Sequence, residues 1–176
     1  MARTRTTAHI LAMALPVFLA GLPCAAASSD DAAAKAEHLL NFLKFVEWPS
    51  AADTQPFAVC FLGGQKVSEA FAVNVSTKHV RLHPLTVRPL MDAHEIDSCS
   101  VLFVGADYRA ANPIAHEPLR KQMLTVSDAP SFGDRGGMIE MNGVGDHFRF
   151  TVNAENVRDA GLRMDSNLLE IGARRF

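Results

Sequence analysis

Histidine pairs are the first side chains in this sequence whose spacing could place them on a metal ion. His79 and His83 are four residues apart, and in an extended strand they would point to one face about 13 Å apart. That distance is too large for a shared metal ion, and no third ligand accompanies them. The two His-Glu dipeptides in the chain lack the second histidine that a zinc-hydrolase helix requires. We therefore expect a solvated strand face at His79 and His83, and no metal site.

The glycine-rich segment Gly63–Lys66 has the position of a phosphate-binding turn. It follows an apolar run and precedes a helical pattern, as such turns do in α/β proteins. It lacks both the GxxxxGK[ST] and the GxGxxG pattern, so a plain strand-to-helix turn is the favoured interpretation. The chain also lacks a GxSxG nucleophile motif and a carboxylate pair spaced for acid–base catalysis. The sequence therefore predicts that the protein is not an enzyme and uses no cofactor.

Phe45 and Trp48 are the aromatic side chains whose position suggests a protein partner. Helical spacing places Phe45 on the polar flank of an apolar stripe that begins at Leu39. Phe and Trp concentrate in the centres of protein interfaces, so this pair is a candidate partner-binding site. The alternative is that the chain folds back after Pro49 and buries both rings.

An export signal precedes the part of the chain that folds. The sequence begins with a positive segment, continues with the apolar run Ile10–Leu22 and reaches small residues suited to cleavage near Ala27. The apolar run is shorter than the roughly 20 residues that span a membrane, which disfavours a membrane anchor. We expect residues 1–27 to be a cleaved signal peptide and residues 28–176 to form one periplasmic domain.

The charge and the cysteines of the chain limit the partners and the redox state that we expect. The chain has 17 Lys and Arg against 19 Asp and Glu, without the basic stripe that nucleic-acid binding needs, so no nucleic-acid partner is expected. Cys60 and Cys99 remain after cleavage. An oxidising compartment favours a disulfide between them, and two separate buried thiols are the alternative.

Apolar runs that alternate with helical patterns predict an α/β fold. The runs Phe57–Leu62, Val101–Val104 and Met123–Val126 are apolar on both faces, as central strands covered by helices are. The other predicted elements in this part are a helix from Ser29 or Asp30 to about Glu47, a helix near Val67–Val73, an extended stretch over His79–Arg88 interrupted at Pro84, and a weak helix near Ile114–Lys121.

The last third of the chain predicts an antiparallel hairpin followed by two short helices. Apolar and polar residues alternate in Ile139–Met141 and Phe148–Val152, on either side of a glycine-rich turn. Just before the hairpin, Gly136 or Gly137 is expected to take a positive φ or to allow a close backbone approach, with a ligand loop as the alternative. Asn153 is expected to cap the first helix. The predicted fold is a single compact α/β domain with a mixed sheet flanked by helices.

Several of these motifs, in this order, resemble the YfiR family of exported bacterial proteins. The resemblance covers residues 33–172, and the interval between Cys60 and Cys99 fits the disulfide of the family. The motifs that carry it are AAAKAEHLLNFLKFVEWP, FAVCFLG, the cysteine before SVLFVGA, LTVSD, GGMIEM, FRFTVN and AGLRMDSNLLEIG.

The resemblance implies a periplasmic repressor of cyclic-di-GMP signalling. Such a protein restrains an inner-membrane diguanylate cyclase by engaging the periplasmic sensor domain of that enzyme. Under envelope or redox stress it releases the cyclase, which promotes biofilm formation. Members of the family resemble compact α/β domains that form homodimers, and the resemblance implies no catalytic activity. Its best-known member has a second disulfide near the GG motif, whereas residues 125–145 here contain no cysteine. A redox switch through that second bridge is therefore not implied for this chain.

Two other classes of function remain open from the residues alone. A periplasmic small-molecule binding protein is one, because open α/β sheets offer ligand crevices at the carboxyl ends of their strands. A hydrolase of an unrecognised type is the other, and it would need a convergent polar pocket that the sequence does not reveal.

Overall fold

The computed structural model describes residues 27–49, 56–75, 79–80, 83–109, 122–143 and 147–172. The expected signal peptide, apart from Ala27, lies outside these residues, and so does the whole of the weak helix expected near Ile114–Lys121. The fold class is the expected one, a mixed α/β structure with a C-terminal hairpin followed by short helices.

A seven-stranded sheet forms the centre of the molecule, in the order β3-β4-β2-β5-β6-β7-β8. The strands from β4 to β7 in this order run parallel to one another, and β3 and β8 are antiparallel to their neighbours. The strand bounds are β2 Phe57–Leu62, β3 His79–Val80, β4 His83–Leu90, β5 Val101–Val104, β6 Leu124–Ser127, β7 Ile139–Asn142 and β8 Arg149–Val152.

The remaining elements flank this sheet. A separate two-stranded sheet joins β1 to β9. The bounds are α1 Ala27–Lys44, β1 Val46–Glu47, α2 Gln65–Val75, α3 Ala154–Asp159, β9 Arg163–Met164 and α4 Ser166–Gly172, with 3-10 helices at Ala93–Ser98 and Gly133–Arg135.

Both faces of the central sheet are buried, as the apolar runs predict. In β2, Phe57, Val59 and Phe61 point into a core shared with residues of all four α-helices. The alternate residues of β2, among them Cys60 and Leu62, point to the opposite face, where they pack with residues of the first 3-10 helix and the following loop. Since successive side chains of a strand point to opposite faces, a fully apolar run is required here.

The first helix differs from its predicted bounds at both ends. Ser29 and Asp30 lie inside α1 rather than capping it, and α1 ends at Lys44 rather than near Glu47. The helix ends early because Val46 and Glu47 adopt an extended conformation and pair with β9. A two-residue strand whose partner lies more than 100 residues away leaves no local pattern in the sequence.

The break expected at Pro84 is absent, because β4 runs through it. A central strand forms hydrogen bonds with neighbours on both sides. Proline has no N–H to donate to these bonds, so it is tolerated mainly in edge strands. The neighbour of β4 on its outer side is β3, which contributes only two residues. Most of β4, including Pro89, therefore behaves as an edge among the described strands, whereas Pro84 lies near the start of β4, opposite His79 of β3.

Glycines and a buried carboxylate shape the turn before the hairpin. Gly136 has a φ of 95°, and a Cβ at Gly137 would overlap the ring of Phe132. Glu140 is buried, and its carboxylate accepts hydrogen bonds from the N–H groups of Ser131 and Gly133 at 3.2 and 3.1 Å. These contacts support the structural interpretation of Gly136 and Gly137.

Asn153 connects the hairpin to α3. Its side-chain oxygen accepts a hydrogen bond from the N–H of Asn156 at 3.1 Å, which is the capping contact expected for this residue. Its backbone N–H donates to the carbonyl oxygen of Met138 at 2.8 Å. Asn153 thus fixes both the start of α3 and its position against the hairpin.

Candidate functional site

A disulfide joins Cys60 to Cys99 and fixes the centre of the fold. Cys60 lies in β2 and Cys99 follows the first 3-10 helix, with their Cα atoms 5.9 Å apart. Both are buried in the core on the face opposite α1. Of the two arrangements left open by the sequence, the bonded one is therefore present.

Phe45 lies in a shallow hollow at the surface, which we call the Phe45 surface. Its side chain is 40% exposed at the end of α1, and its carbonyl oxygen accepts a hydrogen bond from the N–H of Asp165 at 2.9 Å. The hollow has a volume of about 280 Å³. Its residues are Lys44, Phe45, Glu47, Arg163, Met164 and Asp165.

Trp48 does not belong to this surface, so the expectation that it serves as a surface anchor is wrong. The side chain is only 8% exposed and belongs to the main core. Its ring centroid lies 4.8 Å from that of Phe57, with the planes tilted by 52°. The β1 strand turns the chain back over the sheet directly after α1, so the alternative of a buried ring holds for Trp48 and not for Phe45.

A larger cleft, of about 590 Å³, lies at the carboxyl ends of β2, β5 and β6. Its walls come from the first half of α1, from the beginning of α2 and from the segments that follow the three strands. The residues that line it are Asp31, Ala32, Lys35, Gly64, Gln65, Lys66, Val67, Glu69, Ala106, Asp107 and Asp128.

Lys35 ties α1 to the end of β6 across this cleft. Its Nζ lies 2.9 Å from Oδ2 of Asp31 and 2.9 Å from Oδ2 of Asp128. Burial alone lowers the pKa of Lys35, but the hydrogen bonds with Asp128 and Asp31 outweigh it, and the pKa lies above its ordinary value of 10.5. Lys35 is therefore held as an ammonium ion between two carboxylates.

Two further aspartate contacts connect the loops that form the floor of the cleft. Oδ1 of Asp128 accepts a hydrogen bond from the N–H of Ala106 at 2.7 Å. Oδ1 of Asp107 accepts one from the N–H of Gly64, also at 2.7 Å. Each bond joins the segment after one strand to the segment after its neighbour, so the three strand ends form one hydrogen-bonded unit.

The glycine-rich segment Gly63–Lys66 has a structural role in this unit. Gly63 and Gly64 have backbone φ values of 69° and 61°, which residues other than glycine rarely adopt. A Cβ at Gly64 would also collide with the ring of Phe103. The Gly64 N–H that a phosphate would use already binds a carboxylate of the protein, which supports the interpretation as a plain turn.

The histidines have separate environments. His83 is buried, and its ring stacks on Phe57 with centroids 4.1 Å apart, so the expectation of a solvated face is wrong for this residue. The side chain of His79 lies outside the described residues. His38 stacks on Phe148 at 3.5 Å, and burial lowers its pKa below the ordinary value of 6.5 against an opposing effect of Glu37. Within the described segments, no group of three or more His, Cys, Asp or Glu side chains is placed to hold a metal ion.

The fold and these sites define a class of protein, an α/β domain with a buried disulfide. Among the described residues, no helix has both the length and the apolar character needed to cross a membrane. The model of the YfiR/HmsC-like family, DUF4154, matches residues 32–173. The chain therefore belongs to the YfiR/HmsC-like family, a regulatory family of periplasmic proteins in cyclic-di-GMP signalling.

Two other comparisons add little to this assignment. No curated protein matches the chain. A crystal structure of a conserved domain protein from Vibrio cholerae O1 biovar El Tor is similar, with 9% sequence identity and a TM-score of 0.46. The match covers 81% of this chain and 60% of that one, so this chain spans less than two thirds of its length.

Proposed function

We propose that this protein represses an inner-membrane diguanylate cyclase by binding the periplasmic sensor domain of that enzyme. The observation that carries the proposal is the family match over residues 32–173, which includes every described strand and every described α-helix except the first five residues of α1. Export by the N-terminal segment 1–27, followed by cleavage, would bring the folded domain to the compartment of the sensor domain.

Repression of this kind needs binding and no chemistry on the part of the repressor. A partner that binds the inactive conformation of the sensor domain more tightly than the active one shifts the cyclase towards the inactive state. The shift is limited by the difference between the two binding free energies. A 10-fold difference in affinity corresponds to about 1.4 kcal/mol.

The Phe45 surface is the part of the domain that we assign to the sensor domain. Phe45 offers an aromatic side chain that is 40% exposed, and the surrounding residues Lys44, Glu47, Arg163 and Asp165 carry charges of both signs. An apolar anchor inside a polar rim is the usual composition of an interface centre. Its backbone is fixed by the pairing of β1 with β9, so little order is lost on binding.

The test measures cyclic-di-GMP in cells that express the cyclase. Deletion of the gene should raise cyclic-di-GMP and surface attachment, and expression of the wild-type protein should restore the original levels. Phe45→Ala should restore them poorly, since loss of an interface anchor costs about 2 kcal/mol or more, a factor of roughly 30 in affinity. Met91→Ala is the matched control, because Met91 is 91% exposed and lies outside the Phe45 surface.

Two results would count against this assignment. Unchanged cyclic-di-GMP after deletion, in a strain that expresses the cyclase, would contradict repression itself. Full restoration by Phe45→Ala, at the protein level of the wild type, would remove Phe45 from the contact while leaving repression intact.

The homodimer implied by the family is a separate part of the proposal, and the sedimentation velocity of the mature protein tests it.

A further inference from the structure

The large cleft lies where the connections of the parallel sheet change direction. The chain leaves β2 through α2 and returns as β4 on one side of β2, whereas β5 lies on the other side. The carboxyl ends of β2 and β5 therefore flank a topological switch point. In open α/β sheets, small molecules bind in the crevice outside the strands at such a point. The segments after β2 and β5 both line the cleft.

The charge of the cleft selects for cations. Four carboxylates and two ammonium groups line it, a formal charge of −2. One of the two ammonium groups, that of Lys35, is already shared by Asp31 and Asp128. A crevice lined by an excess of one sign of charge raises the local concentration of ligands of the opposite sign.

The backbone N–H group best placed to bind an anion in this cleft already donates to a carboxylate of the protein. The N–H of Gly64, at the start of α2, donates to Oδ1 of Asp107 at 2.7 Å. A phosphate or carboxylate ligand would have to displace this aspartate and approach Asp31 and Glu69 as well. The position that binds phosphate in other α/β proteins therefore disfavours anions in this one.

Carboxylate oxygens that lack a donor are present in the same cleft. Oδ1 of Asp31 is buried and accepts no hydrogen bond. Asp107 is exposed and uses Oδ1 for Gly64, which leaves its Oδ2 without a partner among the described residues. Of these two oxygens, Oδ2 of Asp107 is the one that a ligand in the cleft can reach, and hydrogen bonds from a charged donor are the strongest that a carboxylate can accept.

We propose that this cleft binds a small organic cation through a primary ammonium or guanidinium group, with the exposed carboxylate of Asp107 as its acceptor. The volume of about 590 Å³ lies within the usual range for small-molecule sites, roughly 300–1,000 Å³. The inference goes beyond the repression proposed above and does not require it. Its test contains no cyclase, so the two proposals can fail independently.

The experiment is calorimetric titration of the mature protein with spermidine as the ammonium probe and agmatine as the guanidinium probe, at constant ionic strength. We expect saturable binding of at least one probe with one site per chain. Asp107→Asn keeps an oxygen for the N–H of Gly64 and removes the charge, so it should weaken binding at least about 10-fold. Glu170→Gln removes the same charge from an exposed position on α4, outside the cleft, and should leave binding unchanged.

The outcomes separate a site from general charge attraction. Absence of saturable binding of both probes overturns the proposal. Equal weakening by Asp107→Asn and Glu170→Gln also overturns it, as does tighter binding of inorganic phosphate than of either probe. Circular dichroism checks that Asp107→Asn is folded. If it is not, Glu69→Gln, an exposed lining residue of the cleft, replaces it with the same expected direction.

Discussion

Replacement of Cys60 and Cys99 by alanine should remove a large part of the stability of the domain. The bridge joins residues 39 positions apart in sequence. In the chain-entropy model, closing a loop of that length in the unfolded state is worth about 4 kcal/mol at 25 °C. Both side chains are buried, at 0% and 8% exposure, so losing the two sulfur atoms adds a smaller packing cost. Against a typical unfolding free energy of about 5–15 kcal/mol, this is a large fraction.

Urea unfolding of the mature protein, followed by circular dichroism, measures this effect. The double variant and the oxidised wild type are compared at one pH. Wild type unfolded and refolded with reductant is the matched control, because it loses the bridge and keeps both sulfur atoms. The reduced wild type should lose about 4 kcal/mol, and the double variant slightly more.

A loss below about 1 kcal/mol in the double variant would refute the reasoning, because the bridge would then contribute little to the folded state. Mass spectrometry of the exported protein under non-reducing conditions adds a direct check. Two free thiols in that experiment would show that the bridge does not form.

Three further predictions follow from burial, close packing and titration. Trp48→Ala should cost about 3–5 kcal/mol in urea unfolding, as expected for a buried aromatic residue, whereas Phe45→Ala should cost far less, and equal losses would contradict their different burial. Gly137→Ala should cost about 1–3 kcal/mol because its Cβ would overlap the ring of Phe132, and an unchanged urea midpoint would contradict that overlap. The pKa of His38 is lowered in the folded state, so its contribution to stability is present above pH 6.5 and lost as the pH falls through the lowered pKa. His38→Gln should therefore show a smaller loss of stability than wild type between pH 7.5 and pH 5, and an identical loss would contradict the lowered pKa.

The strands of the central sheet were predictable because their burial leaves a local pattern. Phe57–Leu62 and Val101–Val104 are apolar at every position, and both are buried on both faces. The alternation around the glycine-rich turn likewise matches the pairing of β7 with β8. In each case the burial pattern extends over consecutive residues of one strand, so it is visible as a pattern of apolar residues in the sequence.

The contacts of the cleft could not be predicted in this way. Lys35 meets Asp128 across 93 positions of sequence, and nothing in the sequence around either residue indicates that the two side chains meet. One usable signal was present, since Asp107 and Asp128 follow shortly after the buried runs of β5 and β6. Polar residues just after parallel strands lie at one edge of the sheet, where α/β ligand sites form.

Trp48 shows a different limit of sequence reasoning. Its position after an amphipathic helix is compatible with exposure and with burial, and the choice depends on where the chain turns next. The direction of the chain is fixed by the two residues of β1, which pair with Arg163 and Met164. The sequence contains no local indication of that pairing, because its stability comes from residues near the other end of the chain.

The most direct test of the central claim measures cyclase activity with purified components. Membrane vesicles that contain the diguanylate cyclase, with its sensor domain facing outward and its catalytic domain supplied with GTP inside, receive increasing amounts of the mature protein. The account predicts a saturable fall in the rate of cyclic-di-GMP synthesis. It also predicts that Phe45→Ala requires roughly 30-fold more protein for the same effect. A rate of synthesis that stays constant while the protein is folded and in excess would contradict repression by direct binding.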